Sequence, residues 1–205
     1  MSTVAPLGAA GTLGPMPRNR LLTTVDELVV RAPSGIIFDL ARDVERWPDH
    51  LPHYRYVRFE EKSDDGGGIV QMSANRPFGP VDWPTWWRSV MRVHGAADSR
   101  AVNGVARPTA PGSAELPRLA NSAAAPAVRF QHIGGITTGM DVEWTFSPAE
   151  GGTLVRILHV WDGPRWPLIG RFAATAVIGP VFVHGIASRT LAGLGREAER
   201  RASPR

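Results

Sequence analysis

Two stretches, "TGMDVEWTF" (138–146) and "TLVRILHVW" (153–161), leave few folds open to this chain. The first sets Met140, Val142, Trp144 and Phe146 against Asp141, Glu143 and Thr145, and the second sets Val155, Ile157, His159 and Trp161 on one side. Successive strand side chains point to opposite faces, so each stretch reads as a strand with one apolar face. The turn signal "SPAEGG" between them makes a hairpin that needs a cover over its apolar side. That cover is encoded downstream. From about Pro167 to Arg201 the period becomes helical, with Val183, Ile186, Ala187, Thr190, Leu191, Leu194 and Ala198 on one stripe. Pro180 cannot donate to the preceding turn, so two helices or one kinked helix are expected.

The rest of the chain supplies more strands and two short helices. "VDELVVRA" (25–32) reads as a strand. Pro33 is favourable as a first helical residue, and "GIIFDLARDV" repeats apolar residues at helical spacing through Ile36, Ile37, Leu40, Ala41 and Val44. The prolines of "ERWPDHLPHY" interrupt that helix, leaving a second short helical piece or tight turns. "YRYVRFEEKS", the turn "DDGGG" (64–68) and "GIVQMSANR" form a hairpin. A further strand runs from about Trp86 to His94, with Trp83 in the loop because Pro84 follows it; "VRFQHIGG" is another, with Gly134 and Gly135 permitting a bend. Residues 1–22 read as a flexible arm. Residues 95–127 turn abruptly to Ala, Pro, Ser, Gly and Asn, a composition that predicts a disordered insertion. The whole is an α+β arrangement, a curved antiparallel sheet wrapped around a long C-terminal helix.

Composition removes several chemistries. The chain has no cysteine, which excludes disulfides, thiolate nucleophiles and Cys-ligated metals. A net charge of +4 comes without a helix-turn-helix, zinc-finger or RNP pattern, so nucleic acid is not an expected partner. No apolar stretch has the length of a membrane span, so stable membrane insertion is not expected and a cytoplasmic location is. Oligomeric state is left open. His50 and His53 have Pro52 between them and no third ligand nearby, so no metal is expected. "HIGGITTG" lacks the strand–turn–helix setting of a phosphate loop, and there is no nucleophile elbow; no cofactor is expected. Asp141, Glu143, Asp162 and Glu45 form no acid/base pair and read as exposed carboxylates.

The element order, together with "APSGIIFDLARDVERWPDHLPHY", resembles the START-like (SRPBCC, helix-grip) superfamily of polyketide cyclases/aromatases and coenzyme Q-binding proteins. The phrase that carries the resemblance is Ala32-Pro33, an apolar helix, then Asp43-Val44-Glu45-Arg46-Trp47-Pro48, and it extends over roughly residues 23–202 apart from the 95–127 insertion. It implies one domain, with the sheet and long helix enclosing a deep apolar cavity for polyketides, quinones or other lipids. Fold alone does not decide among such activities.

The stretch "WPTWWRSVMR" (83–92) bears two readings. Alternation puts Trp86, Arg88, Val90 and Arg92 on one face and Trp87, Ser89, Met91 and Val93 on the other, and polarity alone places the second set inside. The resemblance implies the reverse: a strand presenting Trp86 and a functional arginine, Arg92 or secondarily Arg88, to the cavity. Under it Tyr54 resembles a cavity tyrosine, and Tyr54 with Arg92 forms the expected catalytic pair. The arginine stabilises an oxyanion, and the tyrosine shuttles a proton with its pKa lowered by the cation. Trp86, Arg88, Met140, Trp144, Ile157, His159 and His184 are the expected ligand contacts, whereas Trp47 reads as a structural plug. A cyclase/aromatase and a non-catalytic carrier of a quinone or lipid both satisfy these residues, and so does a protein whose cavity is filled by its own side chains.

Overall fold

A computed structural model describes residues 15–78, 81–95, 125–163 and 184–203. Seven strands form one antiparallel sheet: β1 (Leu22–Val30), β2 (Tyr54–Lys62), β3 (Gly68–Phe78), β4 (Val81–His94), β5 (Ala127–Gly135), β6 (Asp141–Ala149) and β7 (Gly152–Trp161), in the spatial order β1-β7-β6-β5-β4-β3-β2. Between β1 and β2 the chain makes α1 (Ser34–Arg42), a 3-10 turn (Val44–Arg46) and α2 (Trp47–His50). A long helix, α3 (His184–Ala202), lies on the inner face of the sheet against β1, α1 and α2. This is the helix-grip arrangement that the resemblance implies.

Apolar alternation explains the inner face. Val142, Trp144 and Phe146 of β6 and Val155, Ile157 and Trp161 of β7 are all buried, and on α3 Ile186, Ala187, Leu191, Leu194 and Ala198 are buried against them. Phe38 of α1 meets Phe146 edge-on with ring centroids 5.4 Å apart, closing the core at one end. Trp47 closes the middle: its indole Nε1 donates to the Leu40 carbonyl at 3.0 Å, satisfying a carbonyl of α1's last turn while its ring faces the sheet.

Several expectations are revised. Pro33 is the residue before α1, not its first helical position, with an extended ψ of 142°. β4 begins five residues earlier than expected, at Val81 rather than Trp86, so Trp83 is a strand residue paired with Arg76 and not part of a loop. Pro84 is tolerated there because β5 pairs with β4 only from Trp87 onward, so that among the described residues no strand pairs with that side of β4 at Pro84. Asp141 is buried rather than exposed; Arg129 approaches it at 3.6 Å, and burial raises its pKa against the pull of Arg129 and Arg20. The expected arm before residue 15, most of the insertion (96–124) and the stretch around Pro180 (164–183) lie outside the described residues.

At Gly134 and Gly135 the ladder is irregular. The β4–β5 register slips between Arg88 and Ser89, and Gly135 has a φ of +88°, where a side chain would meet the Trp86 carbonyl oxygen at 2.4 Å. Gly193 marks a second close approach. A Cβ there would lie 2.2 Å from Leu51, so the bare helix backbone lets α3 sit directly on the turn that leads into β2. That turn carries His53 and Tyr54 to the inner end of the sheet.

Candidate functional site

Between α3 and the inner sheet face lies a cavity of about 60 Å³. Its apolar walls include Trp47, Met72, Phe130, Met140, Val142, Trp144, Ile157 and Ile186. Its polar groups are Tyr54, Arg76, His132, Thr137, His159 and Thr190. A volume of this size holds a handful of waters, since one water needs roughly 10–15 Å³ on this measure. Pockets for drug-sized ligands run to about 300–1,000 Å³, so a bulky ligand requires the walls to part.

Trp87 is the hub of the polar end. The Arg76 guanidinium lies over its ring at 5.4 Å, the Tyr54 ring meets it at 6.1 Å between centroids, and His132 stacks on it at 6.2 Å. Three strands thus deliver Tyr54, Arg76 and His132 to one indole. Arg76 is only 4% exposed; its Nε donates to the Thr85 hydroxyl at 2.7 Å, and that hydroxyl donates to the Ala74 carbonyl at 3.2 Å. Burial lowers its pKa to about 10, partly offset by Tyr54, so the guanidinium is still a cation at neutral pH.

Tyr54 is buried between Trp47, whose ring it meets edge-on at 5.2 Å, and Trp87. Burial pushes its pKa up to about 12, outweighing the Thr190 hydroxyl and Arg76, which pull it down. The phenol is therefore a neutral donor, and the expected lowering by a cation does not prevail. His132 is buried and its Nδ1 pairs with the Thr137 hydroxyl at 2.6 Å. Burial first, then His159 and Arg76, lower its pKa to about 3, so the imidazole is neutral. His53 and His50 part company: His53 reaches Thr190, while His50 lies at 3.3 Å from Arg201 and 4.0 Å from Glu197.

Of the residues expected at the site, Tyr54, Met140, Trp144, Ile157 and His159 line the cavity. Trp86, Arg88 and Arg92 do not. They occupy the outer face of β4, where Arg88 pairs with Glu60 at 2.6 Å and Arg92 is exposed near Asp65. Trp86 is 51% exposed and lies over Gly134. The inner face belongs to Trp87, Ser89 and Met91, the placement polarity alone favours, because turning it over would bury two arginines and expose Met91. His184 begins α3, and its side chain is outside the described set. The arginine that does enter the cavity, Arg76, was missed, although it continues the alternation Val70, Met72, Ala74 on β3. His132 likewise follows Val128 and Phe130 on β5, so period two carried both signals.

Comparison with known proteins adds the following. The profile of the family described as polyketide cyclase / dehydrase and lipid transport matches residues 30–178. Over 61 residues, 30% of this chain, the sequence is 34% identical to the granaticin polyketide synthase bifunctional cyclase/dehydratase of Streptomyces virginiae; the match spans 20% of that protein's length. A protein of Thermus thermophilus superposes with a TM-score of 0.61 at 14% identity, covering 89% of this chain and 100% of the other. The Zhui aromatase/cyclase of a Streptomyces species gives 0.57 at 16%, covering 89% and 96%, and a START superfamily protein of Mycobacterium smegmatis gives 0.53 at 13%, covering 88% and 96%. At these identities the structural likenesses speak for the fold.

Proposed function

Since the chain belongs to the polyketide cyclase / dehydrase and lipid transport family, we propose that it takes a bulky aromatic or polyketide-like molecule into this cavity and acts on it as a cyclase/aromatase. The carrying observation is the convergence of Arg76, Tyr54 and His132 on Trp87 inside an aromatic wall. Aromatic cyclisation of a poly-β-ketone needs a carbon acid to lose a proton, the enolate to attack a carbonyl, the resulting alkoxide to be protonated, and water to leave. Trp47, Trp87, Phe130 and Trp144 offer flat faces that hold a folded chain in a reactive conformer.

Arg76, buried and fixed by Thr85, supplies donors to the oxyanion without reorganising. Tyr54 supplies the proton for the alkoxide, since the phenol is protonated well above neutral pH. His132 is the neutral acceptor for the carbon acid's proton. Burial makes it a weak base, but an enolate forming beside it raises the affinity of its ring for a proton.

The test is native mass spectrometry of the purified protein with identification of anything retained, followed by tryptophan-fluorescence titration and turnover of a linear poly-β-ketone thioester. Saturable binding with turnover that falls in Tyr54→Phe and Arg76→Ala is expected. No retained ligand and no fluorescence response would leave the cavity as imperfect core packing.

One observation favours the second reading, a non-catalytic carrier of a quinone or lipid. Burial moves the pKa values of both Tyr54 and His132 away from neutral pH and keeps the groups uncharged, which suits neutral hydrogen bonding to a carbonyl better than proton exchange. Under that reading the same substitutions weaken binding while the wild type shows no turnover.

A further inference from the structure

At the edge of the cavity, two residues connect to the Tyr54 hydroxyl in sequence. Thr190, buried on α3, donates its hydroxyl hydrogen to the Tyr54 oxygen at 3.4 Å, and the Nε2 atom of His53 lies 3.1 Å from the Thr190 oxygen. His53 itself is only half-buried, in the turn before β2, with its ring 4.9 Å from that of Tyr54. The chain of contacts therefore runs from a partly wet imidazole to a fully buried phenol.

We infer that His53 and Thr190 are positioning residues that form a relay to Tyr54, holding the phenol as a donor into the cavity and replacing its proton from solvent. The inference rests on the ligand reading above. Its logic is a count of hydrogens. A threonine hydroxyl has one hydrogen; spent on the Tyr54 oxygen, it leaves Thr190 as an acceptor toward His53, so His53 must carry its hydrogen on Nε2. Tyr54, already accepting from Thr190, keeps its own hydrogen for the cavity.

When that hydrogen passes to an alkoxide oxygen, the phenolate takes the Thr190 hydrogen, Thr190 takes the one on His53 Nε2, and His53 Nδ1 takes one from water. One proton moves from solvent to ligand, the alkoxide's negative charge leaves as hydroxide in the solvent, and His53, now carrying its hydrogen on Nδ1, returns to the Nε2 tautomer by exchange with water. The relay requires a neutral His53 at rest, and burial with Arg189 nearby lowers its pKa to about 4. It also requires a fixed spacing between helix and sheet. The contact of Gly193 with Leu51, one helical turn beyond Thr190, holds α3 against the turn that carries His53.

The experiment uses the full chain in two arms. In the first, nitrogen-15 NMR of histidine-labelled protein at pH 7, with His53 assigned through His53→Gln, should show a neutral ring with the hydrogen on Nε2. In Thr190→Val that fixed tautomer should give way to a mixture. A protonated ring, a hydrogen on Nδ1, or no change in Thr190→Val overturns the inference.

In the second arm, 9-fluorenone and fluorene, which differ by one acceptor oxygen, are titrated by tryptophan fluorescence. The wild type should prefer fluorenone by about tenfold, roughly one good hydrogen bond. Tyr54→Phe and Thr190→Val should both lose the preference, and Thr190→Ser should keep it. If Tyr54→Phe loses it and Thr190→Val does not, the relay falls and the cavity reading stands. If neither compound binds, the ligand reading fails and the tautomer result alone decides the relay.

Discussion

The two faces of β4 and its neighbours invite comparison, because each carries tryptophan beside arginine and the two pairs end in different physical states. Outside, Trp86 shields Gly134 while half its surface meets water, and Arg88 pairs with Glu60 across the strands. Inside, Trp87 is buried, and Arg76 spreads its guanidinium over the indole with a threonine fixing its Nε. The residue types are the same. Dielectric and neighbours differ, and these turn an ordinary solvated surface into a site in which tyrosine, arginine and histidine all have displaced pKa values.

The comparison breaks first on the tryptophans. Trp87→Ala should lower stability by about 3–5 kcal/mol, the usual loss for a buried large aromatic, whereas Trp86→Ala should lose under about 1 kcal/mol. Paired urea denaturation curves measure both, and equal losses would mean the faces are not different in kind. Next come the arginines. Arg76→Ala should lower turnover of the poly-β-ketone thioester by roughly 10²–10³-fold, the scale of one lost oxyanion donor, with Arg92→Ala within about twofold of wild type. A large Arg92 effect would move the functional arginine back to the outer face.

His132 sharpens the contrast through pH. Its folded pKa, about 3, lies below the unfolded value near 6.5, so the unfolded chain binds the extra proton first as pH falls. The stability from burying the neutral ring is therefore complete above pH 6.5 and is lost progressively toward pH 3, with a slope of at most about 1.4 kcal/mol per pH unit. Denaturation midpoints between those limits should flatten in His132→Asn, and an unchanged slope would assign the acid sensitivity elsewhere, His53 being the next group displaced in the same direction. The smallest effect belongs to the outer ion pair: Arg88→Ala should shift stability by about 0.2–1 kcal/mol and less in high salt, as measured by thermal melts at two ionic strengths.

Much of the architecture was legible because it rests on local periods. Met140, Val142, Trp144 and Phe146, and then Val155, Ile157, His159 and Trp161, are buried at every second position, and the stripe from Ile186 to Ala198 matches the helix that covers them. The site was legible only in part. Tyr54, Met140, Trp144, Ile157 and His159 line the cavity, whereas the arginine in its wall is Arg76 of β3 and not Arg88 or Arg92 of β4. Arg76 sits on the apolar face of β3 by simple alternation, yet a lone arginine at the end of an apolar row reads as the strand's exit into solvent. What keeps it inside is β4, which starts early enough for Thr85 and Trp87 to flank it, and that early start runs through Pro84, a residue that argues for a loop.

The sequence by itself determined which face of each strand is apolar and which stripe of α3 covers the sheet, because both depend on spacings of two to four residues. Polarity alone placed Arg88 and Arg92 in water while the family resemblance placed them in the cavity, and the structure decided for water. Only the tertiary structure decided that Tyr54, Arg76 and His132 share one indole and that His53 reaches Thr190. Those meetings join residues as far as 78 and 137 positions apart through sheet curvature, the bulge at Ile133 and the seating of Gly193 on Leu51. Burial then sets their protonation, and burial belongs to the assembled fold, not to any one segment of chain.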